Sequence, residues 1–213
     1  MALRGARRPA RVEGPTIVSE LRRAGDPALA TSGDREVAIR LVQAVPGGQD
    51  VDVDRARILD LVGQAPAPAD RTTRPGHLTG SAFVVSDDGE RAVLLFHRKL
   101  RRWLQPGGHA DGDMNLVHVA WREAAEETGI DGLAVDPEPV DLDIHEVRPP
   151  TEDPHLHLDV RFLVVAPPGA VLAANDESDA IRWVGRDELD EMELDPGLRR
   201  LAARSFERFD ARR

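Results

Sequence analysis

The sequence contains no cysteine. Disulfides, thiolate nucleophiles and cysteine-based zinc sites are therefore excluded, and the composition fits a reducing cytoplasm. Long apolar runs are missing as well: no stretch approaches the roughly 18 consecutive apolar residues of a membrane-spanning helix. The opening "MALRGARRPARVEG" has basic residues with no apolar segment behind them, so no secretory signal and no membrane partner are expected. Positive charge is not in surplus either. The net charge is -10, which argues against a nucleic acid polymer as partner, because an extended phosphate backbone recruits basic surfaces.

What remains is an ordinary globular composition, 41% hydrophobic and 31% charged over 213 residues. That length holds one generous domain, or one domain of about 130 to 150 residues with an appendage. No internal repeat interrupts it.

Two amphipathic pieces come first. "DREVAIRLVQAV" spaces Val37, Leu41, Val42 and Val45 as a helix does, with Asp34 placed to cap it, and "VDRARILDLV" predicts a second short helix. "GQAPAPADRTTRPG", Gly63 to Gly76, is rich in Pro, Ala and Gly and reads as a linker or wrapping loop. The division is therefore residues 1–75 as tail, helical extension and linker, and residues 76–213 as the main domain. In the main domain "LTGSAFVV" and "RAVLLFH" predict neighbouring antiparallel strands joined by the turn "SDDGE". "HLHLDVRFLVV" and "AIRWV" are later strands, and "GRDELDEM" and "PGLRRLAARSFERF" are closing helices. Interleaved strands and helices imply an α/β domain with a mixed sheet.

The most informative stretch is "LQPGGHADGDMNLVHVAWREAAEETGI", Leu104 to Ile130. Asn115 to Thr128 favours a helix, with Asp113 as a candidate cap and Gly129 where a left-handed residue ends it. Glu123, Glu126 and Glu127 then share an arc of roughly 100°, beside an apolar arc of Val117, Ala120, Trp121 and Ala124. Each like-charge pair at such spacing costs roughly 0.2–0.5 kcal/mol, so a cation should compensate. Arg122 answers part of the charge. Carboxylates on one face are also the ligand set a hard cation such as Mg²⁺ takes, together with substrate phosphates, while the plain alternative is a solvated acidic face. "DGDMN" does not make a calcium loop, because Leu116 stands where that loop needs Gly and Arg122 where it needs Glu.

The order of these residues resembles the Nudix box of the Nudix hydrolases: Gly, five spacers, Glu, seven spacers, then Arg-Glu-apolar-x-Glu-Glu-x-Gly-apolar. The pattern runs from Gly108 to Ile130, and "REAAEETGI" fits its second half without a gap. "GHLTGSAFVV", "HRKLRRWLQPGGH" and "ESDAIRWVGRDEL" extend the resemblance over roughly Gly76 to Met192. It implies an α/β/α sandwich with a mixed β-sheet, preceded here by the short helical extension. It also implies hydrolysis of a diphosphate linkage in a nucleoside diphosphate derivative, dependent on Mg²⁺ or Mn²⁺. By the same resemblance Glu126 and Glu127 are principal metal ligands, and Glu123 is a further ligand or the base that orients water. Arg122 holds the glutamates, and Gly107 or Gly108 lets the backbone approach the metal. The departure is Met114, where the pattern has Glu; Asp111 and Asp113 are close enough on the loop to stand in.

Other residues are candidates for contacting a small nucleotide-type substrate. His109 follows the box glycines and is placed either to reach a phosphate or to brace the loop. Arg98, Lys99, Arg101 and Arg102 form a basic patch, and Trp103 and Phe96 are able to stack on a base, whereas Trp121 and Trp183 read as packing. In "HLHLDVRF", His155, His157, Asp159 and Arg161 share one face, either solvent-facing or lining the diphosphate site with Arg161 on phosphate. Against the family's known substrates, the missing cysteine disfavours isopentenyl diphosphate isomerisation, and the complete absence of tyrosine disfavours diadenosine polyphosphate cleavage. Pro149 and Pro150 fall near the offset linked to ADP-ribose preference without matching it. A non-catalytic sensor binding a nucleotide or nucleotide-sugar remains the alternative, a purely interacting role for the N-terminal helices a third, and a homodimer is left open.

Overall fold

Ten consecutive buried residues, Gly76–Val85, form β1 at the centre of a computed structural model that describes residues 20–149, 151–173 and 178–213. The basic start of the chain, Pro150 and Glu177 lie outside the described residues. β1 is buried because both of its edges are paired. Along one runs β7 (His155–Val165), parallel and in register from Gly76↔Leu156 to Val85↔Val165. Along the other lie β4 (Gly107–His109), opposite Thr79 to Ser81, and then β2 (Arg91–His97). The two strands expected as neighbours are antiparallel but meet only at Val85↔Ala92. Because β4 occupies the rest of that edge, β2 takes β3 (Arg102–Leu104) and β8 (Ser178–Gly185) as its main partners. β5 (Ala134–Val135) and β6 (Asp141–Val147), not separated out in the sequence, complete a mixed sheet by pairing with β7.

Alternation along β1 and β7 supplies two apolar faces. Leu78, Ala82 and Val84, with Leu158, Val160 and Phe162, pack against α3 (Leu116–Thr128) and against α1 (Arg35–Ala44) and α2 (Gln49–Gln64). Phe83, Val85 and Leu163 pack against α4 (Arg186–Glu191) and α5 (Pro196–Asp210). The result is the expected α/β/α sandwich. The polar flank of β7 is not a solvent face: Asp159 is 1% and Arg161 4% exposed, since that side lies under α5.

The extension belongs to the same apolar cluster as α3, through Leu29, Ala38, Val42, Val51, Ile58 and Val62. Asp34 caps α1 by accepting from the Glu36 amide, as its position implied. α2 is longer than "VDRARILDLV", because Asp50 and Asp52 complement the positive end of the helix and allow it to start earlier. The linker wraps: the Pro68 carbonyl accepts from Leu78 (2.8 Å) and the Ala69 carbonyl from Gly112 (3.0 Å). α3 ends as read, with Gly129 left-handed at φ 65° and its amide bonded to Ala125. Gly80 lets the helix sit close to the sheet, since a Cβ there would meet the Ala120 nitrogen and the Leu116 oxygen at 3.1 Å. Among the described residues no helix is long and apolar enough to cross a membrane.

Candidate active site

α3 lays its glutamates along β4. Gly108 pairs with Gly80 in the sheet, and a Cβ on Gly108 would come 2.4–2.6 Å from the carboxylate carbon and oxygens of Glu123. Only a residue without a side chain leaves that carboxylate its place. Arg122 Nη1 stands 2.8 Å from Glu123 Oε1 and 3.2 Å from Glu126 Oε2, while its Nη2 donates to the His109 carbonyl at 3.1 Å. Glu127 Oε2 accepts from the Gly107 amide at 2.9 Å. One guanidinium and one backbone amide thus tie the helix to the glycine strand.

The electrostatics follow from position. The Glu123 side chain is 14% exposed and that of Glu126 59%. Burial raises the Glu123 pKa; Arg122 pulls it back, and Glu126 and Asp111 push it further up. The carboxylate is therefore a better proton acceptor than an exposed glutamate, and a cation beside it would be strongly favoured.

Met114 turns away from this site. It is 8% exposed within the apolar cluster shared with the extension, and its amide donates to the Ser32 carbonyl at 2.6 Å. The residues considered as substitutes for the missing carboxylate have other partners. Asp113 accepts from the amides of Ser32 and Asn115, both at 2.9 Å, and its other oxygen pairs with His118 Nδ1 at 2.7 Å. Asp111 is held by Arg71, with Nε to Oδ1 at 2.8 Å and Nη2 to Oδ2 at 2.5 Å. A thioether suits this position because the extension has made it interior.

The remaining candidates are spread over the molecule. The His109 backbone takes part in the glutamate site, but its side chain packs at an angle against His77 and edge-on against His157 on the opposite face of the sheet. Arg161 is enclosed, at 2.7 Å from Asp159, 2.9 Å from Asp143 and 3.5 Å from Asp141, and it also donates to the Gly197 carbonyl. Its charge is met inside the protein, which corrects the reading that it contacts phosphate. Arg98 is exposed and paired with Asp179 at 2.8 Å, and Arg101 shares the same carboxylate. Trp103 packs edge-on to Phe96 at 5.2 Å and lies under Arg182 at 4.9 Å. Trp121 anchors the apolar side of α3 by donating to the Leu133 carbonyl. Sequence reasoning missed His77, which stands in "GHLTG" with no local signal; only the pairing of β1 with β7 and β4 gives it neighbours.

The family model described as NUDIX domain matches residues 77–205. A Mycobacterium tuberculosis protein (strain CDC 1551 / Oshkosh) named "Putative 8-oxo-dGTP diphosphatase 3" is 34% identical over 120 residues, covering 52% of this chain and 52% of its own. The same protein from strain ATCC 25618 / H37Rv gives the same figures. The chain thus spans about half the length of the curated relatives it matches. Among solved structures, a NUDIX family hydrolase from Clostridium perfringens is 18% identical, with 64% of this chain and 98% of that one covered at a TM-score of 0.47. The MutT protein from Methanosarcina mazei Go1 is 26% identical, with 65% and 95% covered at a TM-score of 0.43.

Proposed function

Since the chain belongs to the NUDIX domain family, we infer that it hydrolyses a diphosphate linkage in a nucleoside diphosphate derivative, with Mg²⁺ or Mn²⁺ as its cofactor. The observation that carries this reading is the apposition of Gly108 and Glu123, a cradle that a Cβ would fill, beside Glu126 and Glu127. The donors are carboxylate oxygens, which suit a hard divalent cation, so the residues fit the group. When bound, such a cation screens the diphosphate's charge and polarises a phosphoryl oxygen.

Glu126 and Glu127 are the principal ligands in this reading. Glu123 Oε1 is paired with Arg122, which leaves Oε2 to take the proton of the attacking water, and its raised pKa suits that role. Arg122 fixes the positions of Glu123 and Glu126 and secures β4 through the His109 carbonyl. Glu127 additionally holds the Gly107 amide, so strand and helix keep their spacing as ligand enters. The substrate is a small nucleotide-type molecule, and the missing cysteine fits the cytoplasm as the place of action.

The test is a panel of nucleoside diphosphate derivatives, with 8-oxo-dGTP included because of the M. tuberculosis relative's name, assayed with Mg²⁺ and Mn²⁺. Phosphate-bearing products are expected, and Glu127→Gln should slow their release at least about a hundredfold, roughly 2.7 kcal/mol. Tight binding of a panel member by the unaltered protein without turnover would replace hydrolysis by the sensor role.

A further inference from the structure

The reverse side of β4 carries a second cluster. Side chains alternate along a strand, so with Gly108 turned to α3 the imidazole of His109 points the other way. There it meets His77 of β1 and His157 of β7. The three ring centroids form a nearly equilateral triangle, 5.1 Å on each side, and one nitrogen from each ring lies within 4.8 Å of the other two. His155 and His145 stand around it, at 5.0 Å from His77 and 5.3 Å from His157 respectively.

Several nitrogens of this cluster are buried without a close hydrogen-bond partner. His77 is 0% exposed, and neither of its nitrogens has a hydrogen-bond partner at normal geometry, although the Thr73 backbone lies near enough to favour its charged form. His157 Nε2 is likewise buried and unpaired. A buried polar group left unsatisfied costs about 1–3 kcal/mol, so several converging on one point call for an occupant.

The donor set, three imidazoles with a nitrogen each within 4.8 Å of the others, points to a cation, and the charge state agrees. Burial, then the charges of His109 and His155, pushes His77 down to about 4. Burial, then its four histidine neighbours, pushes His157 down to about 2, and burial also lowers His109. Neutral imidazoles offer lone pairs, which suits a cation. His155 and His145 have their Nδ1 atoms engaged by the Asp153 carbonyl (2.8 Å) and by Asp143 (2.9 Å), and so frame the triangle.

We propose that His77, His109 and His157 form a three-imidazole site for a borderline transition-metal ion such as Zn²⁺, on the opposite face of β4 from the glutamates. Imidazole suits Zn²⁺, Cu²⁺ or Ni²⁺, whereas Mg²⁺ prefers oxygen, so the two sites differ in the metal they take. Zinc–nitrogen bonds of about 2.0–2.1 Å set ligand atoms about 3.3 Å apart, which ring rotations reach by closing the triangle about an ångström or more. Three protein ligands leave a fourth position open. The site stands apart from the hydrolase reading, because none of its imidazoles touches the glutamate face.

The test uses the full chain carrying Glu126→Gln and Glu127→Gln, which silences the carboxylate site. After stripping with chelator and dialysis against Zn²⁺, about one Zn²⁺ per chain should remain, and added Co²⁺ should give the intense visible bands of four-coordination. His157→Gln in that background should lower Zn²⁺ affinity at least about a hundredfold with an unchanged circular dichroism spectrum, and His77→Gln should do the same. His118→Gln, bonded to Asp113 and away from the triangle, should bind Zn²⁺ as before. Failure to retain Zn²⁺, the weak bands of six-coordinate Co²⁺, undiminished affinity in His157→Gln, or an equal loss in His118→Gln would each overturn the proposal.

Discussion

A methyl group on Gly108 would stand 2.5 Å from Oε2 of Glu123, closer than any Cβ and oxygen can rest. What must give way is the end of a flexible side chain rather than backbone. Gly108→Ala is therefore expected to fold normally and to displace the carboxylate. Its turnover should fall about a hundredfold, the scale that a misplacement near 1 Å produces, with a melting temperature close to that of the unaltered protein. Steady-state kinetics beside a thermal melt checks it; a loss of folded structure that accounts for the loss of activity would contradict it.

Met114 gives the opposite expectation to the one its place in the Nudix pattern suggests. Restoring the pattern's glutamate puts a carboxylate among apolar residues beneath Ser32, so Met114→Glu should cost about 2–4 kcal/mol in chemical denaturation and gain no activity. Met114→Leu keeps the volume and should cost less than about 1.5 kcal/mol. A gain in turnover by Met114→Glu would mean that its side chain reaches the glutamate site.

Asn115 fastens the extension to the start of α3, donating from Nδ2 to the carbonyls of Ala28 and Ala30, each at 2.8 Å. Asn115→Ala leaves those carbonyls without their donor and should cost about 1–3 kcal/mol. Hydrogen exchange should show faster opening at Ala28 to Ser32 before any change in the sheet. Unchanged protection there would show that apolar contacts alone hold the extension.

Arg161 is surrounded by Asp159, Asp143 and Asp141. Arg161→Met strands buried carboxylates and should lower stability by about 3–5 kcal/mol. Measured well below its melting temperature, the variant should keep its KM. A raised KM at unaltered stability would restore the phosphate-contact reading.

Burial pushes Asp143 up, but the hydrogen bond with His145 and the charge of Arg161 outweigh it and hold the carboxyl at about 2, below its ordinary 3.8. The unfolded chain takes the proton first, so this contribution is complete above about pH 4 and is lost as pH falls through about 2. Neighbouring Asp141 is shifted upward by its burial and works in the opposite sense, which moderates the slope. Denaturation at a series of pH values should show a loss on the order of 1–2 kcal/mol across that window, and a flatter acid limb in Asp143→Asn. Identical limbs for the two proteins would remove Asp143 from the account.

Several elements were legible because their causes are local. The bounds of β2 and β7 coincide with "RAVLLFH" and "HLHLDVRFLVV", and α3 ends at Gly129 as its sequence requires. β6 passed unnoticed, since "DLDIHEV" alternates charged and apolar residues in a way that only pairing with β7 makes structural. Arg161 was misread for a related reason. Alternation shows which residues share a face, and not that α5 covers it.

The sequence by itself determined the glutamate edge of α3, with Arg122 one and four residues from its partners Glu123 and Glu126 and glycines before and after, because helix periodicity fixes those relations along one segment. Tertiary structure alone decided the rest. Strand register brought His77, His109 and His157 together from three separate segments, and the docking of the extension, through Ser32, onto Met114 made position 114 interior. Contacts between distant segments depend on which edges pair and which faces are covered, and those are settled only when the whole chain competes for burial.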